Sequence, residues 1–267
     1  PSKVVGFHFF NPVSRMPLVE IIRAPKTSTE TIVTAVQFAK RLGKIPILVK
    51  DSRGFIVNRI LLGYVNEAGR ILEECGQMKR IDKMMTDFGM PMGPFTLSDE
   101  VGLDVGVKVL RILEDGFGSR FQPVDFFERF LNNGFLGKKS GKGFYVYGKK
   151  KTPNKEVQKI LGDKKFNSFD PDIYLKRMLY VMINEAARCL QEGIVDDAGD
   201  IDAGMIFGTG FPPFYGGLLR YADCIGIKRI VNDLECFSKK SGTQRFEPCS
   251  YLVKLRDQEK GFYTNKD

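Results

Sequence analysis

The spacing of apolar residues along this 267-residue chain changes character near residue 50. Before that point they come in short runs, Val4 to Phe10, Leu18 to Ile22 and Ile45 to Val49, and such runs bounded by turn residues read as buried strands. Between the second and third runs, Thr29 to Leu42 carries Ile32, Val33, Val36 and Ala39 on one helical stripe, with an N-cap within Thr27 to Glu30 and Gly43 as a C-cap. From Asp51 onward the pattern is helical. Phe55 to Leu72 is apolar on more than one face and free of proline, which predicts a long buried helix with Asn58 in its first turn.

An internal repeat organises the remainder. Arg59, Leu61, Asn66, Glu67, Ala68, Arg70, Leu72 and Glu74 recur 118 residues later as Arg177, Leu179, Asn184, Glu185, Ala186, Arg188, Leu190 and Glu192. The match continues more loosely: Ile81-Asp82 with Ile201-Asp202, Phe88-Gly89 with Phe207-Gly208, and Asp99 to Gly102 with Asp223 to Gly226. The chain therefore divides into an α/β part (1–51), a first helical copy (52–148), a lysine-rich linker (149–169) and a second helical copy (170–267). Lys176 stands where the first copy has Asn58, and the second copy has no histidine, so it keeps a scaffold without chemistry. Its first helix should bury Leu179, Ile183, Ala186 and Leu190. The recurring Asn-Glu pairs suit buried backbone or a neighbouring arginine.

Composition narrows the class. With 43% hydrophobic, 27% charged and 12% aromatic residues the chain is neither disordered nor collagen-like. The net charge of +9 is spread rather than gathered into a stripe, which argues against nucleic acid. A basic surface does suit a peripheral position against anionic lipid. The Lys138, Lys139, Lys142 run is either a turn before the strand Gly143 to Tyr147 or an attractor for the phosphates of a ligand. Five cysteines at no zinc-like spacing, with one histidine, leave no expected metal site.

That histidine, His8, lies in the run Gly6-Phe7-His8-Phe9-Phe10-Asn11-Pro12, and Glu20 is the lone acid of Leu18 to Ile22. Histidine exchanges a proton near neutrality. A carboxylate on its far nitrogen would fix the tautomer and support the imidazolium. Adjacent strands would bring the two together at their ends. From the residues alone, a hydrogen-bonded core histidine beside an unrelated glutamate is the alternative.

The stretches His8 to Pro12, Met16 to Ile22 and Gly54-Phe55-Ile56-Val57-Asn58-Arg59 resemble the signature of the 3-hydroxyacyl-CoA dehydrogenases, and the resemblance runs over nearly the whole chain. It implies a mainly α protein with an α/β remnant: the tail of a Rossmann-type domain followed by two tandem helical dehydrogenase C-terminal domains. It implies His8 as general base on the substrate 3-hydroxyl, Glu20 as its orienting partner, Asn58 and Asn11 as substrate contacts, NAD as cofactor and an acyl-CoA as substrate. Two copies in tandem resemble the multifunctional proteins of fatty-acid β-oxidation, which carry an enoyl-CoA hydratase ahead of the dehydrogenase. Gly134 to Tyr145, Phe207 to Pro213 and Phe246 to Cys249 are similar to the mitochondrial trifunctional branch. That branch implies a matrix or inner-membrane location, homodimer contacts through the helical domains and a thiolase β subunit as partner. Asn11 departs from it and agrees with bacterial forms, which would imply the bacterial cytoplasm.

A dinucleotide site normally needs a Gly-x-Gly-x-x-Gly turn between strand and helix. None stands near the start, and the cluster Gly134, Gly137, Gly141, Gly143 fits neither that pattern nor a P-loop. The chain looks cut inside its dinucleotide-binding domain and is expected to be inert by itself. The rival reading is a non-enzymatic helical module for dimerisation or subunit interaction.

Overall fold

The computed structural model describes residues 1–163 and 165–263; Lys164 of the linker and residues 264–267 of the second copy lie outside it. Three strands, β1 (Gly6–Phe9), β2 (Leu18–Arg23) and β3 (Ile45–Lys50), form one sheet in the order β1-β2-β3. β1 pairs antiparallel with β2, and β2 parallel with β3 across the helix α1 (Thr29–Arg41). The strand period of two sends Val19 and Ile21 toward Ala35 and Ala39 of α1, with Phe7, Phe9, Val36 and Leu48 around them. The alternate residues Leu18, Glu20 and Ile22 are buried on the other face, so β2 reads as a nearly continuous apolar run. Ser28 caps α1 by accepting from Thr31 N–H. Within α1 the stripe differs from expectation: Val33 is 49% exposed and Ala35 is buried in its place.

The helices that follow are α2 (Val57–Cys75), α3 (Met78–Phe88), α4 (Pro94–Val101), α5 (Leu103–Phe117) and α6 (Asp125–Asn132). After the small hairpin β4 (Tyr145–Tyr147) and β5 (Lys151–Pro153) come α7 (Glu156–Leu161), α8 (Pro171–Gln191), α9 (Ala198–Thr209), α10 (Leu218–Ile225), α11 (Ile227–Ser241) and α12 (Ser250–Asp257). The lysine-rich linker is thus partly regular structure. Asn154 is buried there and donates to the Gly143 carbonyl at 2.7 Å.

Contacts group the chain into two compact units that do not follow chain order. One comprises Pro1–Ile60, Ile183–Cys236 and the described residues from Glu247; the other comprises Leu61–Met182 and Phe237–Phe246. In the first, Arg59 is fully buried; its Nε donates to Glu185 at 2.7 Å and its Nη atoms to Glu192 at 2.6 and 2.8 Å. In the second, Arg177 makes the equivalent bonds to Glu67 at 2.8 Å and to Glu74 at 2.5 and 2.7 Å. Each arginine comes from one copy and its carboxylates from the other. Removing one partner of such a buried pair leaves an uncompensated charge and costs roughly 3–5 kcal/mol.

The other recurring polar residues satisfy buried backbone. Asn66 donates to the Gln122 carbonyl and accepts from Val124 N–H, and Asn184 does the same for Glu247 and Cys249. Asp82 receives the N–H groups of Phe95 and Thr96 at the start of α4, as Asp202 receives those of Leu219 and Arg220 at the start of α10. Asp99 accepts from Phe144 and Tyr145 N–H, and Asp223 from Phe262 and Tyr263. Burial pushes the Asp99 carboxyl up to about 6 against those donors.

Two details of the repeat differ from the sequence reading. The left-handed glycine that ends α3 is Gly89, and its counterpart after α9 is Gly210, not Gly208. Gly208 lies inside α9, where a Cβ would meet Leu18 at 2.7 Å and Val57 at 3.2 Å. In α8, Leu179, Ile183 and Ala186 are buried, but Leu190 is half-buried and Cys189 is fully enclosed beside it. Leu179→Ala should therefore cost roughly 2–5 kcal/mol. Leu190→Ala should cost clearly less, as read from the two denaturation midpoints.

Candidate active site

The register of β1 and β2 sets His8 directly opposite Glu20. The two side chains meet at 2.6 Å, between Nδ1 and Oε2, with Glu20 fully buried and the His8 side chain 28% exposed. The other carboxylate oxygen, Oε1, accepts the N–H groups of Ile56 at 3.0 Å and Val57 at 3.1 Å. These are orphan donors at the start of α2, where a helix favours negative charge. A buried carboxylate receiving two amides is an acceptor on both oxygens, so His8 Nδ1–H is the donor to Oε2. Nε2 is then the unprotonated nitrogen, and it makes no hydrogen bond among the described residues.

The turn from β3 into α2 makes this possible. Gly54 has φ of 71° and Phe55 φ of 47°, and this left-handed pair reverses the chain. It aims the next two amides at Glu20 and sets the Phe55 ring 5.4 Å from the imidazole; Phe10 lies at 4.7 Å. Asn58 follows Val57 directly, in the first turn of α2, half-buried and with no side-chain hydrogen bond among the described residues. Asn11 is exposed in the loop between β1 and β2. Lys44 holds that loop by donating to the carbonyls of Val13 at 2.5 Å and Met16 at 2.7 Å. The two amides, the Phe55 ring and Lys44 were not visible as site residues in the sequence; Gly54 before an apolar helix was the one local signal. Behind the pair, burial pushes the Cys189 thiol up to about 12, so it stays neutral beside Glu20 and Arg59.

Neither strand-to-helix turn of the sheet offers a dinucleotide phosphate site. The turn before α1 has no glycine and spends its polar groups on itself: Thr27 Oγ1 receives Ala24 N–H and donates to the Val4 carbonyl, and Ser28 caps the helix. The turn before α2 gives its free amides to Glu20. The described residues thus carry a histidine–carboxylate pair, and their turns do not fit the pyrophosphate of NAD. Among the described residues no group of three or more His, Cys, Asp or Glu side chains could hold a metal ion. No helix among them is long and apolar enough to cross a membrane.

Residues 1–52 match the model of the 3-hydroxyacyl-CoA dehydrogenase NAD binding domain, and residues 54–147 and 174–265 each match that of the 3-hydroxyacyl-CoA dehydrogenase C-terminal domain. The chain belongs to the 3-hydroxyacyl-CoA dehydrogenase family. It is 48% identical over 269 residues to the fatty acid oxidation complex subunit alpha of Vibrio vulnificus, covering 99% of this chain and 38% of that one. The same subunit of Shewanella loihica is 46% identical over 266 residues, covering 98% and 38%. The chain therefore spans well under half the length of these bacterial relatives. Among solved structures, 3-hydroxybutyryl-CoA dehydrogenase of Escherichia coli K12 superposes with a TM-score of 0.82 at 26% identity, over 97% of this chain and 71% of that one. The dehydrogenase part of multifunctional enzyme 1 of C. elegans gives 0.67 at 30% identity, over 95% and 60%.

A direct check of the site is the tautomer of His8, the single histidine of the chain. Side-chain nitrogen shifts of labelled histidine should show the Nδ1–H form, and Glu20→Gln should abolish that preference. A wild-type imidazole protonated on Nε2 would contradict the assigned donor.

Proposed function

We propose that this chain supplies the proton-transfer part of an NAD-dependent L-3-hydroxyacyl-CoA dehydrogenase, which oxidises a 3-hydroxyacyl-CoA to the 3-ketoacyl-CoA in fatty-acid β-oxidation. The observation that carries the reading is a family-matched histidine whose Nδ1 is locked on a buried carboxylate while Nε2 stays free. Nε2 of His8 takes the proton of the substrate 3-hydroxyl. Glu20 holds the ring in the required tautomer and stabilises the imidazolium that forms. Asn58 and Asn11 are the polar groups assigned to the substrate. NAD, when bound, would supply the hydride acceptor.

The bacterial relatives favour a bacterial hydratase and dehydrogenase protein over the mitochondrial trifunctional branch. A cytoplasmic location would follow from the first, and the matrix or inner-membrane face from the second. The relatives are named as subunits of a complex, which supports a partner chain; the resemblance assigns a thiolase β subunit, along with homodimer contacts through the helical domains. The charge of +9 is compatible with peripheral contact to anionic lipid.

In a polypeptide joining this chain to a complete dinucleotide-binding domain, His8→Gln and Glu20→Gln should lower kcat by roughly a hundredfold to ten-thousandfold. KM should change little, and Lys176→Ala should retain full turnover. Near wild-type rates for both site variants would overturn the proposal. The 267-residue chain alone should show no micromolar binding of NADH by calorimetric titration, since both of its strand-to-helix turns are already occupied.

A further inference from the structure

Phe55 holds a left-handed backbone conformation, φ 47°, that is strained for a residue with a side chain and that glycine adopts freely. Gly54, immediately before it, does supply a glycine at φ 71°. At the next position the chain keeps a phenylalanine, and its ring lies 5.4 Å from the His8 ring at an interplanar angle of 49°. Phe10 supplies a second ring at 4.7 Å and 57°. The repeat provides an internal control. The position 118 residues later is Ile173, which lies inside α8 with no positive φ and is 42% exposed. The helical scaffold therefore does not require the strained turn, which occurs only in the copy whose first helix presents its amides to the His8–Glu20 pair.

We propose that Phe55 is a positioning residue for His8. The strained turn holds its ring against the imidazole and limits rotation about the Cβ–Cγ bond, so that Nδ1 stays on Glu20 and Nε2 stays free. The same turn sends the Ile56 and Val57 amides to Glu20, so one backbone feature sets both the carboxylate and the imidazole. The consequence for turnover rests on the dehydrogenase reading; the ring contact and the tautomer do not.

Two measurements separate these parts. With the single histidine isotopically labelled in the chain, Phe55→Gly removes both ring and strain, Phe55→Leu keeps apolar bulk, and Phe55→Tyr keeps the ring. At a pH where the imidazole is neutral, the Gly and Leu variants should lose the Phe55 share of the ring-current displacement of the imidazole protons, leaving that of Phe10, and their ring-nitrogen shifts should move toward a tautomer mixture. The Tyr variant should match wild type. In the polypeptide with a complete dinucleotide-binding domain, Phe55→Gly should lower kcat by about tenfold to a hundredfold with KM unchanged, as expected for a displaced base. Phe55→Tyr should recover it. A purely structural role predicts the opposite: glycine would relieve the strain and keep full turnover. Unchanged His8 shifts in a folded Phe55→Gly or Phe55→Leu variant would overturn the proposal, as would altered shifts with undiminished kcat. Full turnover by His8→Gln would instead sink the dehydrogenase reading and leave the imidazole shifts to decide the contact.

Discussion

A carboxylate with no exposure to water, Glu20, sets the terms for the surrounding structure. An ionised group there is tolerated only when its lone pairs are filled by donors. Three donors meet it: the His8 imidazole from β1 and the first free amides of α2. Each places a demand on the fold. The strand register must oppose residues 8 and 20, and the turn after β3 must deliver the helix end to β2. The helix must also be held in place, and one turn-length along it Arg59 is anchored on Glu185 and Glu192. The tautomer of His8 is thereby tied to a buried ion pair whose carboxylates come from the second copy.

The two copies show what the shared residues are for. Arg59 and Arg177, Asn66 and Asn184, Asp82 and Asp202, and Asp99 and Asp223 make corresponding bonds to carboxylates or backbone groups. They recur because unpaired buried polar groups are costly in either copy. The residues of the candidate site do not recur: Lys176 and Ile173 replace Asn58 and Phe55. The second copy also meets the site by shape. Gly204 and Gly208 of α9 bring its backbone close to Ile47, Leu18 and Val57, where a Cβ would crowd β2, β3 and the start of α2.

Much of this was legible in the chain. Apolar runs marked all three strands of the sheet within two residues of their ends, because short apolar runs bounded by turn residues are a local signal. The 118-residue repeat marked both long helices and identified Asn66, Glu67 and their counterparts as structural. Periodicity failed where it averages over neighbours. It chose Val33 over Ala35 and Leu190 over Cys189, since adjacent apolar residues differ by a rotation that only the packed partner resolves.

The sequence by itself determined the residues at hand: one histidine, one acid in an apolar strand, a Gly54-to-Arg59 motif, and a second helical copy without that motif. Periodicity and repeat are local or self-similar, so they survive in a linear string. Only the tertiary structure decided which nitrogen of His8 is free, that Ile56 and Val57 lend their amides to Glu20, that Phe55 accepts a left-handed backbone beside the imidazole, and that each copy's arginine is neutralised by the other's glutamates. These depend on strand register, on backbone dihedrals and on contacts across more than a hundred residues. Hydrogen bonds are directional and short-ranged, so their partners are chosen by the folded geometry and leave no periodic trace in the order of residues.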